Sequence, residues 1–241
     1  MKRVSAVVCA YNEEKTIRNV LVTIATSEVF DEIIVVNDGS SDSTGHIIKT
    51  LKWLNIKDIH LHENKGKGYA MALGIENSTS DIIVFCDADL SELKVEHLRQ
   101  LVQPIIENEV DMVLGRVSET LKNNKTNHFY PKALSWNNMF KSFTGERTLY
   151  KKDILPILDE IKTSKFGVET LINLHYQSHK KKVKYVLLKD LIHPTKFEKI
   201  NQSQALKELS IEGCQIVSTA FNNYNLILKI IKNKFINTFS S

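Results

Sequence analysis

The chain has 241 residues and a mass of 27.5 kDa, with 42% hydrophobic and 25% charged residues and a formal charge of +4. That composition excludes long disordered tracts and supplies enough apolar residues for one large domain, or one domain with a small appendage. Cys9, Cys86 and Cys214 are widely spaced and form no CxxC pair, which argues against a disulfide framework or a zinc site. The apolar run at residues 4–9 is too short for a signal sequence, and no stretch of 18 apolar residues occurs to span a membrane.

Charge is divided unevenly. Residues 1–120 carry 12 Lys/Arg against 19 Asp/Glu, a net of −7, and residues 121–241 carry 20 against 9, a net of +11. A basic half can meet phosphates or an anionic membrane, although most of these lysines read as solvated surface. Nucleic acid is disfavoured as a partner, because the basic half lacks interleaved aromatic residues for base stacking.

In chain order, residues 4–9 read as a β-branched strand, and residues 15–26 as a helix with Ile17, Val20, Leu21 and Ile24 on one face. A strand follows at 32–37, a turn at 38–42, a helix at 44–54 and a weaker strand at 58–62. Residues 68–77 look helical, 81–86 form a third apolar strand, 95–107 an amphipathic helix and 111–115 a further strand. Continuous apolar strands joined by helices predict a mostly parallel sheet covered on both faces, with ligands bound beyond the carboxyl ends of its strands. Beyond Arg116 the rhythm changes. Residues 117–130 are polar and read as a loop or lid, 132–143 as a helix, 145–150 as a turn into a strand, 168–179 as a helix and 183–188 as a strand.

The strand ends carry the chemistry. They read Cys9-Ala10-Tyr11-Asn12-Glu13-Glu14, Asn37-Asp38-Gly39-Ser40-Ser41-Asp42 and Asp87-Ala88-Asp89. Taken singly, Asn12 or Asp42 can cap a helix and Asp38-Gly39 can make a turn. Asp87 and Asp89, directly after Ile82-Ile83-Val84-Phe85, repel each other, and a hard divalent cation held through carboxylate and phosphate oxygens would offset that repulsion. Asn64-Lys65-Gly66-Lys67-Gly68 precedes a helix, where two glycines suggest a close approach of backbone to a ligand and Lys67 a counter-charge for phosphate. Neither a Walker A spacing nor a GxGxxG fingerprint is present.

Together these four motifs, in order and spacing over the first 90 residues, resemble glycosyltransferase family 2. Asp87-Ala88-Asp89-Leu90 and Gly115-Arg116 look most like dolichyl-phosphate mannose synthase and related polyprenyl-phosphate or phosphoglycerate glycosyltransferases. The resemblance implies a single GT-A, Rossmann-like α/β domain over residues 1–200, with a nucleotide-sugar half at 1–115 and an acceptor half at 116–200. A C-terminal amphipathic helix then covers 201–241. It further implies a nucleotide diphosphate sugar donor, of GDP-mannose or UDP-glucose type, and Mg²⁺ or Mn²⁺ as cofactor.

By the same resemblance, Ala10, Tyr11, Glu13 and Asp38 would hold the base and ribose. Asp87 and Ala88 would contact the ribose or the metal shell, and Asp89 would ligate the metal. Lys67, Arg116 and Lys199 would meet the diphosphate, with His193 as a third metal ligand. Arg147 and Glu169 join Asp89 as catalytic candidates, Glu169 as a base or an acceptor-binding group. The sequence departs from the family pattern at Ala10, where proline is usual, and at Asn37, where aspartate is commoner; an ED pair and a QxxRW motif are both absent. Without an obvious base, an ionised acceptor such as a polyprenyl phosphate fits best; a small phosphorylated or saccharide acceptor is the alternative. Two other classes stay open: a non-catalytic nucleotide-binding module, and a nucleotidyltransferase, whose glycine-rich, arginine-bearing loop is missing.

From residue 204 to about 234 one long helical pattern carries Leu206, Leu209, Gly213, Ile216, Ala220, Tyr224, Ile227, Ile231 and Phe235 at spacings of three or four. Lys229, Lys232 and Lys234 lie beside it. Two readings stand: packing on the helix's own domain or on a twin subunit in a homodimer, or lying on an anionic membrane surface. The chain accordingly reads as a cytoplasmic protein, either free or peripheral on the cytoplasmic face of the membrane.

Overall fold

The computed structural model describes residues 2–117, 145–192 and 202–239. Val117, expected to open the loop at 117–130, ends a strand, and the rest of that loop, the helix expected at 132–143, His193 and Lys199 lie outside the described residues. Seven described strands form one sheet in the order β3-β2-β1-β4-β6-β5-β7. They are β1 (Val4–Ala10), β2 (Glu32–Asn37), β3 (Lys57–His60), β4 (Ile82–Asp87), β5 (Met112–Val117), β6 (Arg147–Tyr150) and β7 (Val183–Leu188). All pairings are parallel except those of β6, which runs antiparallel to both β4 and β5. The mostly parallel sheet read from the sequence is the one observed.

The strands are apolar throughout because both faces are covered. Val4, Ala6, Val8 and Ala10 point to one side, against α1 (Ile17–Thr26), α2 (Thr44–Thr50) and α4 (Val95–Ile106). Val7, Ile34, Ile83 and Phe85 point to the other, against α3 (Lys67–Asn77), α6 (Leu158–Thr163) and α7 (Val168–Ser178). The face of α1 is the one its spacing predicts, with Ile17, Val20, Leu21 and Ile24 all buried. Sequence periodicity did not reveal α5 (Lys151–Ile154) and α6. Leu155-Pro156-Ile157 interrupts them with a 3₁₀ turn, so neither short piece shows a full amphipathic period.

The expected single C-terminal helix is two: α8 (Gln202–Asn222) and α9 (Tyr224–Phe239), separated at Asn223. Their contact with the domain is not through the seam, which departs from the packing reading alone. The face turned to the domain carries Gln215, Thr219, Asn223, Leu226, Ile230 and Asn233, and most of the seam read from the sequence is exposed. The Phe166 N–H donates to Gln215 Oε1 at 3.2 Å, and Asn233 Nδ2 donates to the Ser178 carbonyl at 3.1 Å. These two hydrogen bonds, with Ile230 buried and Leu226 packed against the core, fix the helices on the domain.

Candidate active site

The parallel register brings the strand ends together. Ala10 lies opposite Asn37, Cys9 opposite Asp87, and Asn37 opposite His60. Strand order reverses between β1 and β4, the point of such a sheet where ligands bind beyond the carboxyl ends of the strands, here beyond Ala10 and Asp87.

The loop after β1 and the loop after β2 are stitched to each other. Asn12, with φ 56°, accepts from the Ser41 N–H through Oδ1 at 2.9 Å, and its own N–H donates to Ser40 Oγ at 3.0 Å. The Glu13 N–H donates to Thr44 Oγ1 at 2.8 Å, and Glu14 Oε2 accepts from the Ser43 N–H at 3.0 Å. These bonds hold Tyr11 at the rim with 47% of its surface exposed. Glu13 is half-buried beside it.

Ala10 and Asp38, expected at the base and ribose, are tied into the loops around them. Ala10 is buried, and its carbonyl accepts from the Asp38 N–H at 2.9 Å. Asp38 is also buried, its two carboxylate oxygens accepting from the Lys65 and Gly66 N–H groups at 2.8 and 2.9 Å. Burial pushes the Asp38 carboxyl up from its ordinary range, and those two hydrogen bonds oppose the rise. Asp38 thus anchors the loop that leads into α3. The close approach expected at Gly68 is likewise internal: a Cβ there would lie 2.3 Å from the Ile161 carbonyl oxygen, so its smallness lets α3 pack on α6.

The charged centre lies between β4, β6, α3 and α7. Lys67 Nζ sits 2.9 Å from Asp87 Oδ1 and 2.8 Å from Glu169 Oε1. Arg147 Nη2 lies 3.9 Å from Glu169 Oε2, and its Nη1 donates to the Glu169 carbonyl at 3.4 Å. Arg147, expected among the catalytic groups, is fully buried, and its guanidinium contacts both the carboxylate and the carbonyl of Glu169. Glu169 occupies the first turn of α7, where the helix dipole also favours a carboxylate. Glu146, fully buried next to Arg147, was not singled out from the sequence; a carboxylate at the start of a strand was the available signal.

Burial pushes the Asp87 carboxyl up to about 6, against the pull of Lys67, while Glu146, Asp89 and Glu169 add to the rise. Burial also works against the Lys67 ammonium, but Asp87 and Glu169 outweigh it and hold its pKa well above the ordinary range. The Arg147 guanidinium is drawn down by burial, and the carboxylates around it oppose that. Asp89 lies half-buried two residues beyond Asp87, with Ala88 buried between them. Arg116 is half-buried at the end of β5, its guanidinium 4.6 Å from the centre of the Tyr185 ring.

Asp87 is held from the other side by Gly145. A Cβ at Gly145 would come within 2.0 Å of Asp87 Oδ2. Gly145→Ala is therefore expected to displace the carboxylate and to lower kcat/KM by about 100-fold, the order of loss that a 1 Å misplacement produces. Steady-state kinetics alongside a circular dichroism spectrum check this; unchanged kinetics would mean that Asp87 needs no fixed position.

Asp87 and Asp89 offer a hard divalent ion oxygen ligands of the kind Mg²⁺ and Mn²⁺ prefer. Among the described residues no group of three His, Cys, Asp or Glu side chains is placed to hold a metal alone. Two carboxylates fit an ion that shares its shell with phosphate oxygens. His193, expected as a third ligand, lies outside the described residues.

Residues 5–160 match the family model described as Glycosyl transferase family 2. A dolichyl-phosphate N-acetylglucosaminyltransferase from Methanococcus voltae, with UDP-N-acetylglucosamine in its name, is 30% identical over 159 residues, covering 59% of this chain and 61% of that protein. The glycosyltransferase AglD from Haloferax volcanii is 36% identical over 120 residues, covering 46% of this chain and 19% of AglD. The matches thus span about three-fifths and about one-fifth of those curated relatives. Among solved structures, glucosyl-3-phosphoglycerate synthase from Mycobacterium tuberculosis, in complex with Mn²⁺, UDP and glucosyl-3-phosphoglycerate, superposes with a TM-score of 0.71 at 20% identity, over 92% of this chain and 79% of that one. That likeness confirms the GT-A fold, and the family model, which covers more than half of the sequence, shows that this chain belongs to glycosyl transferase family 2.

Proposed function

We propose that this protein transfers a sugar from a nucleoside diphosphate sugar to a phosphate-bearing acceptor, a polyprenyl phosphate above all, with Mg²⁺ or Mn²⁺. The observation that carries the reading is the Asp87/Asp89 pair at the sheet's switch point, with Lys67 fixing Asp87. Leaving-group departure builds charge on the diphosphate, and a divalent ion supplies the electrostatic stabilisation for it. Asp89 is the ligand to that ion. Asp87, clamped between Lys67 and Gly145, orients the ribose or the metal shell. Tyr11 and Glu13 line the base and ribose end, Arg116 and Lys199 attend the diphosphate, and His193 is the third ligand to the ion.

The acceptor reading rests on Glu169. Its carboxylate is engaged by Lys67 and Arg147, which suits a positioning role better than proton abstraction. A phosphate nucleophile is already ionised and needs no base. The names of the Methanococcus relative and of the Mycobacterium structure both include phosphate-bearing acceptors, a dolichyl phosphate and a phosphoglycerate. The test is transfer from a panel of UDP- and GDP-sugars to polyprenyl phosphate, 3-phosphoglycerate and neutral saccharides. Preference for the lipid phosphate supports the reading, 3-phosphoglycerate would move it to the small-acceptor alternative, and preference for a neutral saccharide would overturn it.

The pH dependence follows from Asp87. Below about 6 its carboxyl is protonated and offers less to a cation; above that it is ionised. Affinity for the metal–nucleotide pair is expected to be full above pH 7 and to fall as the pH drops through 6, approaching about tenfold per pH unit. Calorimetry with Mn²⁺ and UDP between pH 5 and 8 checks it; a flat profile would remove Asp87 from the site.

A further inference from the structure

The two C-terminal helices present two periodic faces. The face turned to the domain was described above. On the opposite side, Leu206, Leu209, Val217, Tyr224, Leu228 and Ile231 recur at helical spacing and are all exposed, and Phe221 beside them is 80% exposed. Gly213 lies within the same row, and a Cβ there would meet nothing within 4 Å. Solvated single apolar residues are ordinary; a continuous row along two successive helices marks a docking surface.

The charges on the same helices identify its occupant. Lys207, Lys229 and Lys232 are all exposed on these two helices. No Asp or Glu occurs after Glu212, and Glu208 and Glu212 lie half-buried toward the domain. An apolar row on helices that expose lysines and no carboxylate complements an anionic lipid surface. A second copy of the chain would bring lysine against lysine. No described helix is long and apolar enough to cross a membrane, so the pair would lie on the surface.

We infer that α8 and α9 form an interfacial face that docks this protein on an anionic bilayer, with the apolar row in the headgroup region and Lys207, Lys229 and Lys232 against the lipid phosphates. The geometry couples that face to the site. The inner side of α8 packs on Phe166 and Gly167, where a Cβ on Gly167 would lie 1.9 Å from Thr219 Oγ1, and Glu169 follows two residues later. The lipid surface would then stand about one helix diameter, roughly 10 Å, from the segment that carries Glu169. The inference rests on the helix surface and is independent of the acceptor's identity.

The test is co-sedimentation of the 241-residue chain with vesicles of phosphatidylcholine alone and of phosphatidylcholine containing one-third phosphatidylglycerol, both free of polyprenyl phosphate. Binding to the anionic vesicles at low salt is expected, with little to the neutral ones and weakening as salt rises. Changing Lys207, Lys229 and Lys232 together to Gln should weaken it by about 100-fold at low ionic strength. Phe221→Ser with Val217→Ser should weaken it by at least about tenfold, while circular dichroism and thermal midpoint stay as in the wild type, because both side chains are exposed. Equal binding by the variants, or none by the wild type at low salt, would overturn the inference. So would a dimer in light scattering that the Phe221/Val217 variant dissolves, since a second copy would then occupy the row. Sugar transfer to a water-soluble acceptor, unaffected by these substitutions, would separate failure of docking from failure of the catalytic reading.

Discussion

Replacing Asp89 by alanine is expected to lower kcat by at least about 100-fold, the scale of losing a major electrostatic stabiliser of the transition state. Asp89 lies half-buried just past the end of β4, where β1 and β4 part at the switch point. Its neighbour in the motif, Asp87, is already paired with Lys67, so Asp89 is the carboxylate assigned to the ion. The substitution removes negative charge from a region crowded with carboxylates, so the variant should fold at least as well as the wild type. Thermal melting and kinetics on the same preparation separate the two effects. Full activity of Asp89→Ala, or of the wild type in excess EDTA, would exclude the metal role.

Replacing Lys67 by methionine is expected to cost about 3 kcal/mol of stability, because it leaves Asp87 and Glu169, both largely shielded from solvent, without their shared cation. Arg147 remains close to Glu169 and keeps the loss at the lower end of the range for broken buried pairs. Urea denaturation gives the number. Adding Asp87→Asn to Lys67→Met should recover part of the loss, since it removes the carboxylate stranded by the first change, and a double-mutant cycle would measure the coupling. A Lys67→Met protein within about 0.5 kcal/mol of wild type would behave like an ordinary surface substitution and contradict the network.

Much of this architecture is legible in the amino-acid sequence because the doubly wound half is built from local signals. The runs Ile33-Ile34-Val35-Val36 and Ile82-Ile83-Val84-Phe85 are apolar at consecutive positions, which only a strand covered on both faces tolerates. Once those strands are parallel, the strand-end rule places Tyr11, Asp38 and Asp87 at one edge without further information. The antiparallel insertion of β6 between β4 and β5 is set by long-range pairing and has no local signature. The ion pair of Lys67 with Glu169 joins residues 102 apart, and periodicity cannot show it.

The C-terminal helices teach a different lesson. The apolar row is a true helical period, yet periodicity does not say what a face meets. Here the domain takes the side carrying Gln215, Thr219 and Asn233: Gln215 Oε1 accepts from the Phe166 N–H just before α7, Asn233 Nδ2 donates to the Ser178 carbonyl at the end of α7, and the apolar row is left to solvent. Gly68 shows the same limit on a smaller scale: a glycine in a loop leading into a helix suggests ligand approach, but the atom it accommodates is the Ile161 carbonyl oxygen.

The central claim is that the carboxylates at the end of β4 bind a divalent ion together with a nucleoside diphosphate. The most direct measurement is isothermal titration of UDP and of GDP into the protein with and without Mn²⁺, repeated on Asp89→Ala. Two carboxylates cannot close the ion's shell alone, so Mn²⁺ by itself should bind weakly, and one of the nucleotides should bind at least about tenfold more tightly with Mn²⁺ than without it in the wild type only. Nucleotide affinity indifferent to Mn²⁺, or an equal Mn²⁺ enhancement in Asp89→Ala, would contradict the account.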